Sequence, residues 1–252
     1  MSSAIATIVT DEQKQQYKDE GYFILERVIP EEHLDILRGE CQRFIDLENR
    51  RMDEAKTDVC GINHRNKRYF VNNVCKQSER IPQFVFSDLM ADICRATLGA
   101  DAYLFWDQYV VKGAEQGMKF GWHQDSGYVG HPHRQYLTCW CALDDVSVEN
   151  GTAYILPFSR AGTRDIVPHV KEEGSNDLIG YHGADPGIPV IAPAGSIAVF
   201  SSVTFHRSGA NLSNRMRRVY LAQYSGNIIM DKEGRKPWGQ TTDFVRDGKR
   251  VR

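Results

Sequence analysis

The sequence predicts a mainly β fold, a sandwich or barrel with helices packed against its outside, and three observations predict it. Apolar periodicity is helical up to about residue 99 and strand-like beyond it. The later segments are short, β-branched or aromatic, and separated by Gly, Pro, Asn and Asp turns. No linker, repeat or low-complexity tract divides the 252 residues, a length that one all-β domain commonly reaches. Helices first and many short strands after suit a β core with outer helices. Residues 1–252 are therefore read as one domain: 1–100 as mostly helical support, 101–226 as the β core and 227–252 as a C-terminal extension.

Taken in order, Thr10 precedes Asp11 with Gln13 three residues on, the capping-box spacing, so a helix starts there and Gly21 ends it. Tyr22-Phe-Ile-Leu25 is a short apolar run suited to a buried strand. Pro30 opens a second helix, in which Leu34, Leu37, Cys41, Phe44 and Ile45 recur at three-to-four spacing as a core-facing stripe. From Asn49 to Lys76 the pattern is irregular and basic. Arg65, Lys67 and Arg68 beside Tyr69 and Phe70 read as a solvated loop in preference to an anion site. Ser87 caps a helix from Asp88 to Leu98, stopped by Gly99. Strands are expected at Tyr103–Val111, Tyr136–Leu143, Thr152–Leu156, Ile188–Ile191, Ser196–Phe200 and Arg217–Tyr224. The interval Gly162–Pro189 is long enough for a lid or binding loop. Its His169 and His182 lack partners at ligand spacing and are expected to face solvent. The basic tail Asp231–Arg252, with Trp238 and Phe244, is expected to pack over the barrel.

A formal charge of −2 provides no general basic field for nucleic acid. No apolar run reaches membrane-spanning length, the N-terminus lacks a basic segment before an apolar one, and the C-terminus Lys-Arg-Val-Arg252 is no peroxisomal tripeptide. A cytoplasmic protein without a membrane partner is expected; no oligomeric interface is legible. The six cysteines include no Cys-x-x-Cys and read as reduced thiols, Cys139 and Cys141 sharing one strand face as packing residues.

The chemistry gathers in Phe120-Gly-Trp-His-Gln-Asp-Ser-Gly-Tyr128. His123 and Asp125, two apart in an extended run, point the same way. An imidazole and a carboxylate on one face are adjacent metal ligands, and His206 from a distant strand would complete a facial set with open coordination positions. The bare His-x-Asp also arises by chance, so the surrounding motifs must carry the claim.

Those motifs are Trp-His-Gln-Asp, Glu149-Asn-Gly-Thr-Ala-Tyr-Ile-Leu-Pro-Phe-Ser159, Gly195-Ser-Ile-Ala-Val-Phe and His206-Arg-Ser-Gly-Ala-Asn211 before Arg217-Arg218. In order and spacing they resemble the phytanoyl-CoA dioxygenase group of iron(II)/2-oxoglutarate oxygenases, as do the opening Asp-Glu-Gly-Tyr-Phe-Ile-Leu and the Ile-Pro-Glu-Glu helix. The resemblance covers nearly the whole chain. It departs at Pro157-Phe-Ser-Arg160, where members often read Pro-Gly-Ser-His. Gly or Ala at position 125 would have implied a halogenase; the carboxylate implies oxygenation.

The resemblance implies a double-stranded β-helix, a jelly-roll, cupin-like barrel, with Fe(II) held by His123, Asp125 and His206. It implies 2-oxoglutarate as cosubstrate, O2 as oxidant and ascorbate as a stimulant. Arg217, eleven residues after the last His, would bind the far carboxylate of 2-oxoglutarate as a planar guanidinium can, with Arg218 on the opposite strand face. Gln108, Lys112, Thr152 and Gln124 would reach the cosubstrate or line its pocket. Tyr103, Phe105, Trp122, Tyr128 and Trp140 are aromatic candidates for the substrate mouth. The implied reaction couples decarboxylation of 2-oxoglutarate to succinate and CO2 with oxidation, chiefly hydroxylation, of an unactivated C–H in a small metabolite. Desaturation, cyclisation and epoxidation draw on the same oxidant. Two readings of other classes stand beside it: a non-catalytic metal- or ligand-binding jelly roll, and a zinc hydrolase with the same His/Asp/His set.

Overall fold

In the computed structural model, which describes residues 8–115, 118–173 and 177–252, the Thr10 hydroxyl accepts from Gln13 N at 3.2 Å and Gln13 Oε1 accepts from Thr10 N at 3.0 Å. Helix α1 (Asp11–Glu20) thus starts at the expected box. Residues 1–7, part of the stretch read for a targeting signal, lie outside the described residues. Gly21, at φ 80°, ends α1 and turns the chain directly into β1 (Tyr22–Leu25), where a Cβ would meet Phe158 and Thr204 at 2.5 Å. β1 alternates half-buried and buried instead of being buried throughout, because Phe23 and Leu25 face the core under the helices while Tyr22 and Ile24 face the space between the sheets and pack only partly.

Helix α2 (Glu31–Glu54) buries the predicted stripe but runs on past Asn49, where irregular chain was expected. Tertiary contacts hold its last turns: Met52 is fully buried, and Asn63 Nδ2 donates to Glu48 Oε2 at 3.0 Å. The next stretch brings a second correction. In place of a solvated loop, β2 (Val59–Cys60), β3 (Asn63–His64) and β4 (Arg68–Asn72) extend a sheet. Tyr69 is wholly buried, its hydroxyl donating to Asn49 Oδ1 at 2.8 Å. Basic composition masked the strand: Arg65 pairs outward with Asp53 and Asp58, whereas Arg68 is buried. A short α3 (Ile81–Val85), not read from the sequence, precedes α4 (Asp88–Thr97), which Ser87 caps as expected.

The β core follows as β5 (Ala102–Lys112), β6 (Phe120–His123), β7 (Leu137–Ala142), β8 (Ala153–Leu156), the one-turn α5 (Phe158–Ala161), β9 (Val170–Lys171), β10 (Leu178–Ile179), β11 (Ile188–Pro189), β12 (Ile197–Ser201), β13 (Phe205–Ser208), β14 (Arg217–Ser225), β15 (Thr242–Arg246) and β16 (Lys249–Arg250). The large antiparallel sheet has the order β1-β12-β7-β14-β5-β4-β3-β2, with β15 also on β5 and β16 on β15; the small one is β11-β8-β13-β6. The chain passes back and forth between them, β5, β7, β12 and β14 in the large sheet and β6, β8, β11 and β13 in the small. That is the double-stranded β-helix.

Period-two alternation divides the interior in two. Cys139 and Cys141 of β7 pack with Leu37, Phe44 and Phe84 under the helices, while Trp140 and Ala142 face the small sheet and pack with Ile155, Val219 and Leu221. The C-terminal tail does pack on the barrel: β15 adds to the end of β5 and Phe244 is fully buried.

Candidate metal centre and binding cavity

Strands β6 and β13 pair so that His206 lies directly opposite His123. The register then slips, Ser208 meeting Phe120, and this bulge turns both Phe120 and His123 toward the interior although they are three residues apart. The two imidazole centroids are 4.2 Å apart. Asp125 stands just past β6 as the first residue of a 3₁₀ turn, Asp125–Tyr128. One ligand atom each from His123, Asp125 and His206 lies within 4.8 Å of the others.

Hydrogen bonds orient all three. His123 Nδ1 meets Gly121 O at 2.8 Å and His206 Nδ1 meets Thr204 O at 3.1 Å. A carbonyl at Nδ1 calls for the proton there and leaves Nε2 with its lone pair turned to the centre. Asp125 Oδ2 accepts from Thr138 Oγ1 at 2.6 Å and Gln223 Nε2 at 2.9 Å, while Oδ1 lies 3.5 Å from His206 Nε2. Burial, reinforced by His206, pushes His123 down to about 3, so its ring is neutral. Burial opposes ionisation of Asp125, but His206, His123 and Thr138 outweigh it and hold the carboxyl at about 2. For His206 burial acts downward, yet the charge and hydrogen bond of Asp125 raise it above its ordinary value. Two imidazole nitrogens and one carboxylate oxygen, with their other atoms tied back, fit a divalent metal with open positions on one side.

Arg217 heads β14 with its guanidinium buried. One Nη donates to Gly151 O at 3.2 Å, whereas Nε and the other Nη have no hydrogen-bond partner among the described residues. Trp140 lies beneath the group at 5.6 Å. Burial lowers its pKa to about 10, opposed by the charge of Asp144. Unmet buried donors cost roughly 1–3 kcal/mol each, more when charged, a cost that a bound carboxylate offsets. Arg218 points the other way and pairs with Asp144 at 2.6 Å.

His123, Asp125, His206 and Arg217 line one cavity of about 450 Å³, together with Gln108, Phe105, Tyr128 and Trp140 from the sequence reading. Five other candidates are placed elsewhere. Gln124 is buried among backbone groups, Nε2 donating to Val203 O at 2.7 Å and Asp165 O at 2.9 Å, and Oε1 accepting from Val167 N at 2.9 Å. It fastens a loop instead of facing the cavity. Thr152 donates to Val190 O at 2.5 Å. Lys112 is buried behind the wall, bonded to Ser208 Oγ at 2.7 Å and to the Gly209 carbonyl. Tyr103 lies outside it beneath Arg246, at 4.3 Å from the guanidinium. Trp122 packs with Leu156, Phe205 and Tyr181 away from the cavity. The expected solvent-facing His169 is instead half-buried, its Nε2 accepting from Gln124 N at 2.9 Å; His182 is exposed.

Thr138 and Gln223, which hold Asp125, were not read as site residues. They face each other across β7 and β14, and a polar pair on otherwise apolar inner faces is the signal that marks them. Arg68 also lines the cavity.

The profile of the family described as Phytanoyl-CoA dioxygenase (PhyH) matches residues 17–219. An ectoine dioxygenase of Bordetella parapertussis is 27% identical over 229 residues, which are 82% of this chain and 72% of that protein. Among solved structures, a non-heme alpha ketoglutarate dependent carbocyclase from nogalamycin biosynthesis shares the fold with a TM-score of 0.72 at 20% identity, over 93% of this chain and 91% of the other. EctD from S. alaskensis, solved with 2-oxoglutarate and 5-hydroxyectoine, gives 0.71 at 18% identity, over 95% and 86%.

Proposed function

The chain belongs to the phytanoyl-CoA dioxygenase family and is an iron(II)/2-oxoglutarate-dependent oxygenase; on that premise we propose that His123, Asp125 and His206 hold the iron and Arg217 the far carboxylate of 2-oxoglutarate. The reaction we assign is hydroxylation of an unactivated C–H bond in a small molecule. The observation supporting this reading is the pairing, in one cavity, of the His/Asp/His cluster with a buried guanidinium whose Nε and one Nη are unmet.

Iron, 2-oxoglutarate and O2 together supply an oxidant able to attack a C–H bond, with succinate and CO2 as the other products. The chain's own residues do the positioning. Thr138 and Gln223 fix the Asp125 carboxylate, and the Gly121 and Thr204 carbonyls fix the two imidazoles. Arg217 orients the cosubstrate by a two-point contact, and Trp140, Val110 and Leu221 exclude water from it. The same residues would serve desaturation, cyclisation or epoxidation; the position of the substrate decides between them.

The test is succinate formation by purified protein with iron(II), ascorbate, 2-oxoglutarate and O2. Wild type is expected to form succinate, slowly even without substrate, and His123→Ala and Arg217→Ala to lose it. Wild type that neither forms succinate nor binds 2-oxoglutarate anaerobically would overturn the proposal.

A further inference from the structure

The cavity has two chemically different ends. Along β14 the inward residues run Arg217, Val219, Leu221 and Gln223, opposite Lys112, Val110, Gln108 and Trp106 of β5. Gln223 bonds Asp125, so Trp106, its partner on β5, stands toward the Asp125 end of the strand and Arg217 heads the other end. Beyond Trp106 the wall becomes aromatic. Phe105, Trp106, Tyr128, Tyr136 and Trp238 all line the cavity there. Trp238 stacks on Phe105 with centroids 5.7 Å apart and planes at 22°, and touches Trp106 at 5.9 Å; Tyr136 packs on Phe105 at 4.6 Å.

Trp238 lies beyond residue 219, where the family profile ends. Its segment is nevertheless built into the barrel. Trp238 N donates to Ile229 O at 2.9 Å, Gln240 N to Phe105 O at 2.8 Å, and Gln240 Nε2 to buried Asp107 at 2.7 Å. A Cβ on Gly239 would lie 2.6 Å from Phe105 O, so only glycine permits this close approach. Trp238 is 36% exposed and lines the cavity, so a ligand seated there would cover part of its ring.

The cavity wall carries charged groups of both signs. Arg217 faces the cosubstrate end. Arg68, which donates to Ile62 O at 3.0 Å, shares the wall with Asp177 of opposite charge, and Arg207 donates to Pro186 O at 2.9 Å while lying 3.9 Å over Tyr154. An anionic or zwitterionic group placed against the aromatic wall would lose its hydration without a partner, whereas a flat apolar ring would stack.

Resting on the oxygenase reading, we propose that the substrate carries a flat, largely apolar ring system, and that Trp238 is a specificity-determining residue that holds this ring. The experiment is anaerobic calorimetry on the full chain with iron(II) and 2-oxoglutarate, titrating 2-naphthol as a neutral bicyclic probe, choline as a cation and acetyl-coenzyme A as an anionic thioester. The wild type, Trp238→Ala and Trp238→Phe are compared. Saturable binding of 2-naphthol is expected, weakened about tenfold by Trp238→Ala and restored to within about threefold by Trp238→Phe, with 2-oxoglutarate affinity equal in all three. Absence of saturable 2-naphthol binding, an unchanged affinity in Trp238→Ala, or tighter binding of choline or acetyl-coenzyme A would overturn the proposal. Failure of 2-oxoglutarate to bind would instead remove the oxygenase reading, which the same titrations report separately.

Discussion

Asp125 shows how much of a candidate metal centre would reside in residues that touch no metal. Its Oδ2 takes hydrogen bonds from Thr138 and Gln223, which leaves Oδ1 aimed at the centre. Replacing Thr138 by Val or Gln223 by Leu keeps the shape and deletes one donor. Iron(II) affinity measured by equilibrium dialysis is expected to fall about 10- to 100-fold in each variant; unchanged affinity would mean that the carboxylate is held by packing alone. Protons compete at the same centre. His206 must lose its proton to offer Nε2, and Asp125 raises its pKa above the ordinary value of about 6.5. Affinity is therefore fully developed above that raised value and weakens as pH falls through it. His123, at about 3, adds no dependence in the same window. Metal titrations between about pH 5 and 8.5 check this, and a flat profile would contradict it.

At the scale of elements, the turn before β8 and the head of β14 act as one unit. Gly151, at φ 76°, brings its backbone against Gly209 O, which a Cβ would meet at 2.6 Å, and offers its own carbonyl to Arg217. Gly151→Ala is expected to weaken 2-oxoglutarate binding by about tenfold and to lower stability by more than about 1 kcal/mol, measurable by calorimetry and denaturant melts. Element by element, legibility followed how local the causes were. The α1 box, the Ser87 cap and the strands on both flanks of the site could be read because side-chain type and spacing determine them within a few residues. The bulge in β6 could not, since it exists only against β13. Strand β4 was hidden because its partner, β5, lies about forty residues on and its basic side chains resemble those of a loop. The motifs pointed to His123, Asp125 and His206, whose ligand atoms the structure brings within 4.8 Å of one another, yet Gln124, adjacent to two of them, turns to the backbone of another loop, which no spacing rule reveals.

At the scale of the molecule, the two sheets clamp one cavity, so what binds there links them. Iron(II) with 2-oxoglutarate at about 100 times its dissociation constant is expected to stabilise the fold by roughly 2.7 kcal/mol, since the unfolded chain offers no site. A thermal melt should show the increment for wild type, and Arg217→Ala should lose the part due to 2-oxoglutarate while keeping the part due to metal. Loss of both parts would mean that Arg217 supports the fold and not the cosubstrate. The large sheet also has to end somewhere. Its order runs from the four-residue β1 to the two-residue β2, and β1 lies along β12, pairing Tyr22 with Phe200 through Leu25 with Ile197. A chain shortened past Leu25 would keep every candidate ligand, yet it would move the edge from β1, whose Ile24 carbonyl accepts from Gln13 Nε2 of α1 at 3.2 Å, to the longer, wholly buried β12. Such an edge is adhesive. Helix α1 and strand β1, remote from the chemistry, are thus expected to guard the sheet against self-association, and their loss should appear as aggregation before it appears as inactivity.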